Sequence, residues 1–151
     1  MKPSLASAPT VITCHSNADW DALSSMIGMS MIYPDSIMIF PGSMEKPLNQ
    51  FFNETAVFLY TFKNLKELAH ARVKRVGVVA PQIRSRVPQV QDLLDLPGVE
   101  VEVWEHHPTP YSGEKNKVIN ADVTHIGTTG STCTLICQAL QERGITPACQ
   151  E

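Results

Sequence analysis

The chain has 151 residues, of which 43% are hydrophobic and 18% charged, and its formal net charge at pH 7 is −3. That length suits one domain that buries about 68–70% of its unfolded surface and needs no disulfide or metal staple to fold. The acidic balance excludes a protein that grips nucleic acid by bulk positive charge, though not one with a local basic rim.

The opening segment carries Lys2, Pro3 and Pro9 where a leader would need an apolar block. No apolar run is long enough to span a membrane. The four cysteines, Cys14, Cys133, Cys137 and Cys149, form no C-x-x-C pair. They fit a reduced, cytoplasmic protein, with Cys14 and the Cys133/Cys137 pair expected to be small buried apolar residues and not zinc ligands.

In chain order, Val11-Ile12-Thr13-Cys14 predicts a buried strand, continuously apolar as a parallel sheet requires. Asp21 is placed to cap a helix whose apolar positions Leu23, Met26, Ile27 and Met31 fall at helical spacing, and Tyr33-Pro34-Asp35 stops it. Ser36-Ile37-Met38-Ile39-Phe40 predicts a second strand closed by Pro41-Gly42, and residues 45–72 are mixed, with one or two short helices. Arg75-Val76-Gly77-Val78-Val79 predicts a third strand, and a helix over Val87–Leu96 ends at Pro97-Gly98. Val99–Trp104 gives a fourth strand and Val118–Ile126 a fifth. Gly127-Thr128-Thr129-Gly130-Ser131-Thr132 then leads into a last helix capped by Gly144. Strands alternating with helices predict an α/β fold: a doubly wound, mostly parallel five-stranded sheet in a single domain, with helices on both faces. Ligands of such folds bind beyond the carboxyl ends of the strands.

Three polar clusters follow strands. His15-Ser16-Asn17-Ala18-Asp19-Trp20-Asp21 gathers an imidazole and two carboxylates, a donor set suited to Mn²⁺ or Mg²⁺. Taken alone, helix capping accounts for Asp19 and Asp21 more simply. Glu105-His106-His107-Pro108 places adjacent imidazoles in different directions, one toward a metal and one toward phosphate, or else forms a solvated surface loop. The Gly127–Thr132 loop offers amides at a helix N-terminus for an anion, or is an ordinary Ser/Thr cap. Arg84 and Arg86 follow the third strand within reach of a phosphate, whereas Arg72, Lys74 and Arg75 fit a solvated face. A phospho-acceptor receiver fold would need an Asp after the third strand, and Ala80 excludes it.

The ordered set H-S-N-A-D-W-D-A-L-S-S, Y-P-D-S-I-M-I-F-P-G-S, E-H-H-P and G-T-T-G-S-T resembles the DHH phosphoesterase family over about Val11 to Ile145. More narrowly, it is similar to the DHH domain of bacterial proteins that join it to CBS domains and a tRNA nucleotidyltransferase, or poly(A) polymerase-like, region. The resemblance implies a manganese-dependent hydrolase of phosphoester or phosphoanhydride bonds. It makes His15, Asp19, Asp21, Glu105 and His106 metal ligands, with His107 close to the phosphate and Asp21 and His107 in catalytic roles. It also assigns Gly127, Thr128 and Thr129 to the family's glycine-threonine loop.

The departures shape the expectation. The family's bridging Asp after the third strand is Ala80 here, and the leading Asp of the DHH signature is Glu105. The chain stops at Glu151, before a further family Asp and the usual second domain. Two divalent ions about 3.5–4 Å apart repel, and a bridging carboxylate offsets that repulsion. The expectation is therefore occupancy by one ion or none, and weak or no hydrolysis of nucleotide or oligonucleotide phosphodiesters by this chain alone. The alternative is an inactive nucleotide- or phosphate-binding regulatory module of a tRNA nucleotidyltransferase-like protein. Partners would be a phosphate-containing small molecule or short single-stranded nucleic acid, and further domains of one parent chain, with no membrane.

Overall fold

Five strands form one all-parallel sheet in the order β2-β1-β3-β4-β5. They are β1 (Thr10–Thr13), β2 (Ile37–Ile39), β3 (Arg75–Val79), β4 (Glu100–Glu105) and β5 (Val123–Ile126). The computed structural model describes residues 10–68, 72–107 and 118–147. The expectations placed on the opening segment, Pro108 and Cys149 lie outside them.

Successive residues of a strand point to opposite faces, so a sheet covered on both sides needs continuous apolar strands. Val11 packs on one face with Ile37, Val76, Val78, Val101 and Val103, and Ile12 packs on the other with Met38, Val79 and Trp104. Helices α1 (Trp20–Ile32) and α5 (Thr132–Glu142) cover the Ile12 face. They approach so closely that a Cβ on Gly28 would meet Ile136 Cγ2 at 2.8 Å. Short turns and α4 (Gln91–Leu94) cover the other face through Val87, Val90 and Leu93. The doubly wound α/β expectation holds.

The helix expected over Val87–Leu96 is only α4 preceded by 3₁₀ turns at Arg84–Arg86 and Pro88–Val90. The fifth strand begins five residues later than expected. Val118 instead bridges antiparallel to Ile83, and Asp122 exchanges hydrogen bonds with Val101 before β5 starts. Residues 46–59 form α2 (Lys46–Phe51), a π turn and α3 (Val57–Leu59). The chain then returns to the outer edge of β2, where Phe62 bridges Met38. Gly144, at φ +66, ends α5 as expected. Cys14 is buried, Cys133 is half-buried and Cys137 is exposed, so the last of these is no core residue. No helix among the described residues is long and apolar enough to cross a membrane.

Candidate metal and phosphate site

The first cluster is held by its own backbone. Ala18 N–H donates to the Ser43 carbonyl and Ser16 N–H to the Arg86 carbonyl, tying the β1–α1 loop between the ends of neighbouring segments. Asn17 takes the left-handed conformation that asparagine tolerates, at φ 56. The cap of α1 is Asp19, whose Oδ1 accepts from Ala22 N–H at 2.9 Å, and not the expected Asp21. Asp21, in the first turn, reaches across to α5 and accepts from Thr132 N–H at 3.1 Å and Cys133 N–H at 2.9 Å. The anion at the α5 N-terminus is thus a carboxylate of this chain, positioned where the helix dipole favours negative charge.

Two histidines share one arrangement. His15 is buried and its Nδ1 lies 2.8 Å from the Ser16 carbonyl oxygen. His106 Nδ1 lies 3.1 Å from the Thr129 carbonyl oxygen. A carbonyl only accepts, so each Nδ1 carries the proton and each Nε2 keeps its lone pair. His15 Nε2 faces Asp19 Oδ1 at 3.8 Å, and His106 Nε2 faces Asp21 Oδ2 at 4.0 Å. These separations are too long for hydrogen bonds, but they suit two donor atoms turned toward a common ion. A backbone carbonyl fixing the far nitrogen is the usual support of a metal-binding imidazole.

Glu105 behaves differently. Its buried Oε1 accepts from the amides of His106 at 2.7 Å and His107 at 3.2 Å, and lies 2.9 Å from His107 Nδ1. Glu105, His106 and His107 are close enough for a three-donor metal group. The short Glu105–His107 contact, however, is a hydrogen bond that shapes the loop and leaves the exposed His107 ring with Nε2 unpaired among the described residues.

The clusters of His15 and His106 follow β1 and β4, and β3 lies between these strands. The register puts Ala80 opposite Glu105, with its N–H donating to the Trp104 carbonyl at 2.8 Å. Ala80 is 7% exposed and sits at φ 74, a left-handed conformation that costs an alanine about 1–2 kcal/mol. The site therefore has a small residue on its central strand, between two groups that carry acids.

In the glycine-threonine loop, Gly127 lies so near α5 that a Cβ would meet Leu135 Cδ2 at 2.6 Å. Thr128 is exposed, and Thr129 contributes the carbonyl that orients His106. With Asp21 on the first amides of α5, the helix terminus expected to take phosphate is filled from within. Arg84 is bound to Asp95 on its own segment, whereas Arg86 is exposed next to the Ser16 loop. Burial, with lesser help from Cys137 and Asp21, raises the Cys133 thiol to about 11. Burial and then Asp19 push Cys14 up as well. Neither thiol is poised as a nucleophile.

Sequence reasoning missed Glu102, on β4. It is 2% exposed and accepts from Tyr33 Oη at 2.6 Å and Trp104 Nε1 at 2.9 Å, with His125 Nε2 at 3.1 Å. The signal available was an acid at the centre of the apolar run EVEVW.

No family model matches the chain. It is 36% identical over 135 residues to an A-adding tRNA nucleotidyltransferase of Geobacter sulfurreducens, a match covering 89% of this chain. The chain spans 15% of that relative's length. Among solved structures, it superposes on an exopolyphosphatase-related protein from Bacteroides fragilis with a TM-score of 0.64 at 16% identity, covering 92% of this chain and 41% of that one. The second likeness is one of fold.

Proposed function

We propose that this chain is a phosphoesterase-type domain of the DHH class that takes the phosphodiester of a nucleotide or short oligonucleotide, as one module of a larger tRNA nucleotidyltransferase-like protein. The observation that carries it is the pair of histidines at the ends of β1 and β4, each with Nδ1 held by a carbonyl and Nε2 turned toward Asp19 or Asp21. The relative's name and the exopolyphosphatase-related fold agree with it.

Imidazole and carboxylate donors fit Mn²⁺, with Mg²⁺ a weaker occupant. The pairs His15/Asp19 and Asp21/His106 would supply the donors, with Glu105 shaping the loop that carries His106 and His107. A bound divalent ion supplies an acidified water and neutralises charge on phosphoryl oxygens. His107, and Arg86 on the segment beside the Ser16 loop, would meet the phosphate. With Ala80 supplying no bridging oxygen, one ion per chain is the stoichiometry.

Binding without turnover is the second possibility. It is favoured by Asp21 and Glu105 both being committed to structural hydrogen bonds. Calorimetry with Mn²⁺ and hydrolysis of bis(p-nitrophenyl) phosphate test the two together. The expected results are one bound ion, binding weakened at least tenfold in Asp19→Asn and in His106→Ala, and hydrolysis near background. Absence of Mn²⁺ binding, or unchanged affinity in both variants, would refute the site. Robust hydrolysis lost in Asp19→Asn would show that a single ion suffices for catalysis.

A further inference from the structure

Beside the cluster lies a cavity of about 520 Å³ that no part of the proposed chemistry uses. We propose that it is a nucleobase subsite, which selects nucleotides over bare phosphates for the neighbouring site.

Its walls are aromatic. Phe40 and Phe62 stack at 5.4 Å between ring centroids and 9° between planes, and Phe52 meets both edge-on at 5.2 and 4.8 Å. All three rings are only partly buried, so a working apolar core is left open to solvent beside Met44 and Val57. The rim is polar, with Lys63, Asn64 and Glu67 supplying an ammonium, an amide and a carboxylate. Aromatic walls with a few polar groups, in a volume of roughly 300–1,000 Å³, describe a small-molecule pocket. A flat heteroaromatic ring with donors and acceptors on its edge matches both parts of this lining, because stacking uses the ring faces and the rim groups use the edge. A purely apolar helix from another domain would desolvate the Lys63 ammonium, whereas Glu67 already accepts from Asn64 N–H at 3.1 Å.

The cavity joins the candidate site through the backbone. Gly42 and Met44 line it. A Cβ on Gly42 would meet Ser16 Oγ at 3.1 Å, and Met44 bridges Ala18. Ser16 and Ala18 are the residues between His15 and Asp19. Gly42 therefore lets the cavity wall pack directly against the Ser16 loop, and a larger residue there would press on that loop. A second cavity of about 300 Å³ lies on the other edge of the sheet, between Trp104, His125 and α5. It has no such connection and serves as an internal control.

The assignment of the phosphate position rests on the function proposed above, but the base pocket is tested separately. Amide chemical shifts are followed by NMR in Mg²⁺ during titration with adenosine, AMP and ribose 5-phosphate, on the parent chain and on Phe62→Leu and Lys63→Glu. Adenosine and AMP should shift amides at 40–44 and 62–64, whereas ribose 5-phosphate should shift only those at 15–21 and 105–107. AMP should bind at least tenfold tighter than ribose 5-phosphate. Phe62→Leu should reduce AMP affinity roughly fivefold or more, as loss of a stacking platform does, and leave ribose 5-phosphate unchanged. Lys63→Glu, on the surface, should weaken AMP without disturbing the fold.

If adenosine still acts at 40–44 and 62–64 while ribose 5-phosphate moves nothing, the base pocket stands and the phosphate site fails. Equal binding of AMP and ribose 5-phosphate, shifts confined to 125–143, or no response to adenosine and AMP at millimolar concentration would each overturn the base pocket.

Discussion

At the residue scale, Glu102 is a buried acid on which several elements of the fold converge. It brings a charge into the sheet where three donors converge on it, and Arg75 Nε stands 3.9 Å away while its guanidinium lies over the Tyr33 ring. Arg75, expected on a solvated face, is instead clamped by Glu100 at 2.9 Å. Removing the acceptor leaves the Trp104 and Tyr33 donors unpaired in partly dry surroundings. Glu102→Ala should therefore cost about 2–4 kcal/mol in urea unfolding, and Glu102→Gln, which keeps an acceptor oxygen, distinctly less. Burial first, and then the Glu102 hydrogen bond, raise the Tyr33 phenol to about 12 from an ordinary 10. The unfolded chain therefore loses this proton before the folded one does. Tyr33 contributes stability that is complete below pH 10 and disappears as pH rises toward 12. Thermal melts across that window should show a shallower alkaline decline in Tyr33→Phe than in the parent. An equal slope would mean the phenol titrates freely.

At the element scale, α1 and α5 are fastened to one another twice. Asp21 holds the amides of Thr132 and Cys133, and Gly28 admits Ile136. Gly28→Val would drive two methyl groups into Ile136 and should destabilise by about 1–3 kcal/mol, as overpacking does, despite the glycine's poor helix propensity. Denaturant titration checks it, and an unchanged midpoint would show that the helices can separate freely. Both fastenings show where the sequence is and is not legible. The apolar strands were readable because Val11, Ile12, Val76 and Val78 must satisfy two covered faces at once, and β3 has the very bounds its composition predicts. Asp21 read as a cap because local spacing cannot distinguish a carboxylate serving its own helix from one serving a helix 111 residues away. Likewise, Glu102 looks like one face of an alternating strand until the covering Tyr33 and His125 are placed. Local chemistry is visible in sequence, and long-range hydrogen bonding is not.

At the scale of the whole molecule, strand order decides what the metal site can hold. The histidine clusters were legible, but their neighbours were not, since no local pattern reveals that β3 runs between β1 and β4. That order makes Ala80 the middle of the site, although it belongs to neither cluster. Its backbone is already bent for the purpose, at φ 74, a conformation aspartate tolerates better than alanine does. Ala80→Asp would place a carboxylate opposite Glu105, near Asp19 and Asp21, in a region where the effective dielectric is below that of water. Without metal, the added like charge should lower the melting temperature. With Mn²⁺, the same charge should tighten binding and raise the number of ions per chain from one toward two, since bridging oxygens allow ions to sit about 3.5–4 Å apart. Ala80→Gly separates the two contributions: it relieves the left-handed alanine, gaining about 1 kcal/mol of stability, and leaves Mn²⁺ affinity unchanged. Calorimetry and melting curves on the parent and both variants, with and without Mn²⁺, measure all of this. If Ala80→Asp binds Mn²⁺ with the parent's affinity and stoichiometry, the side chain at the end of the central strand points away from the ions, and the two clusters act as separate sites.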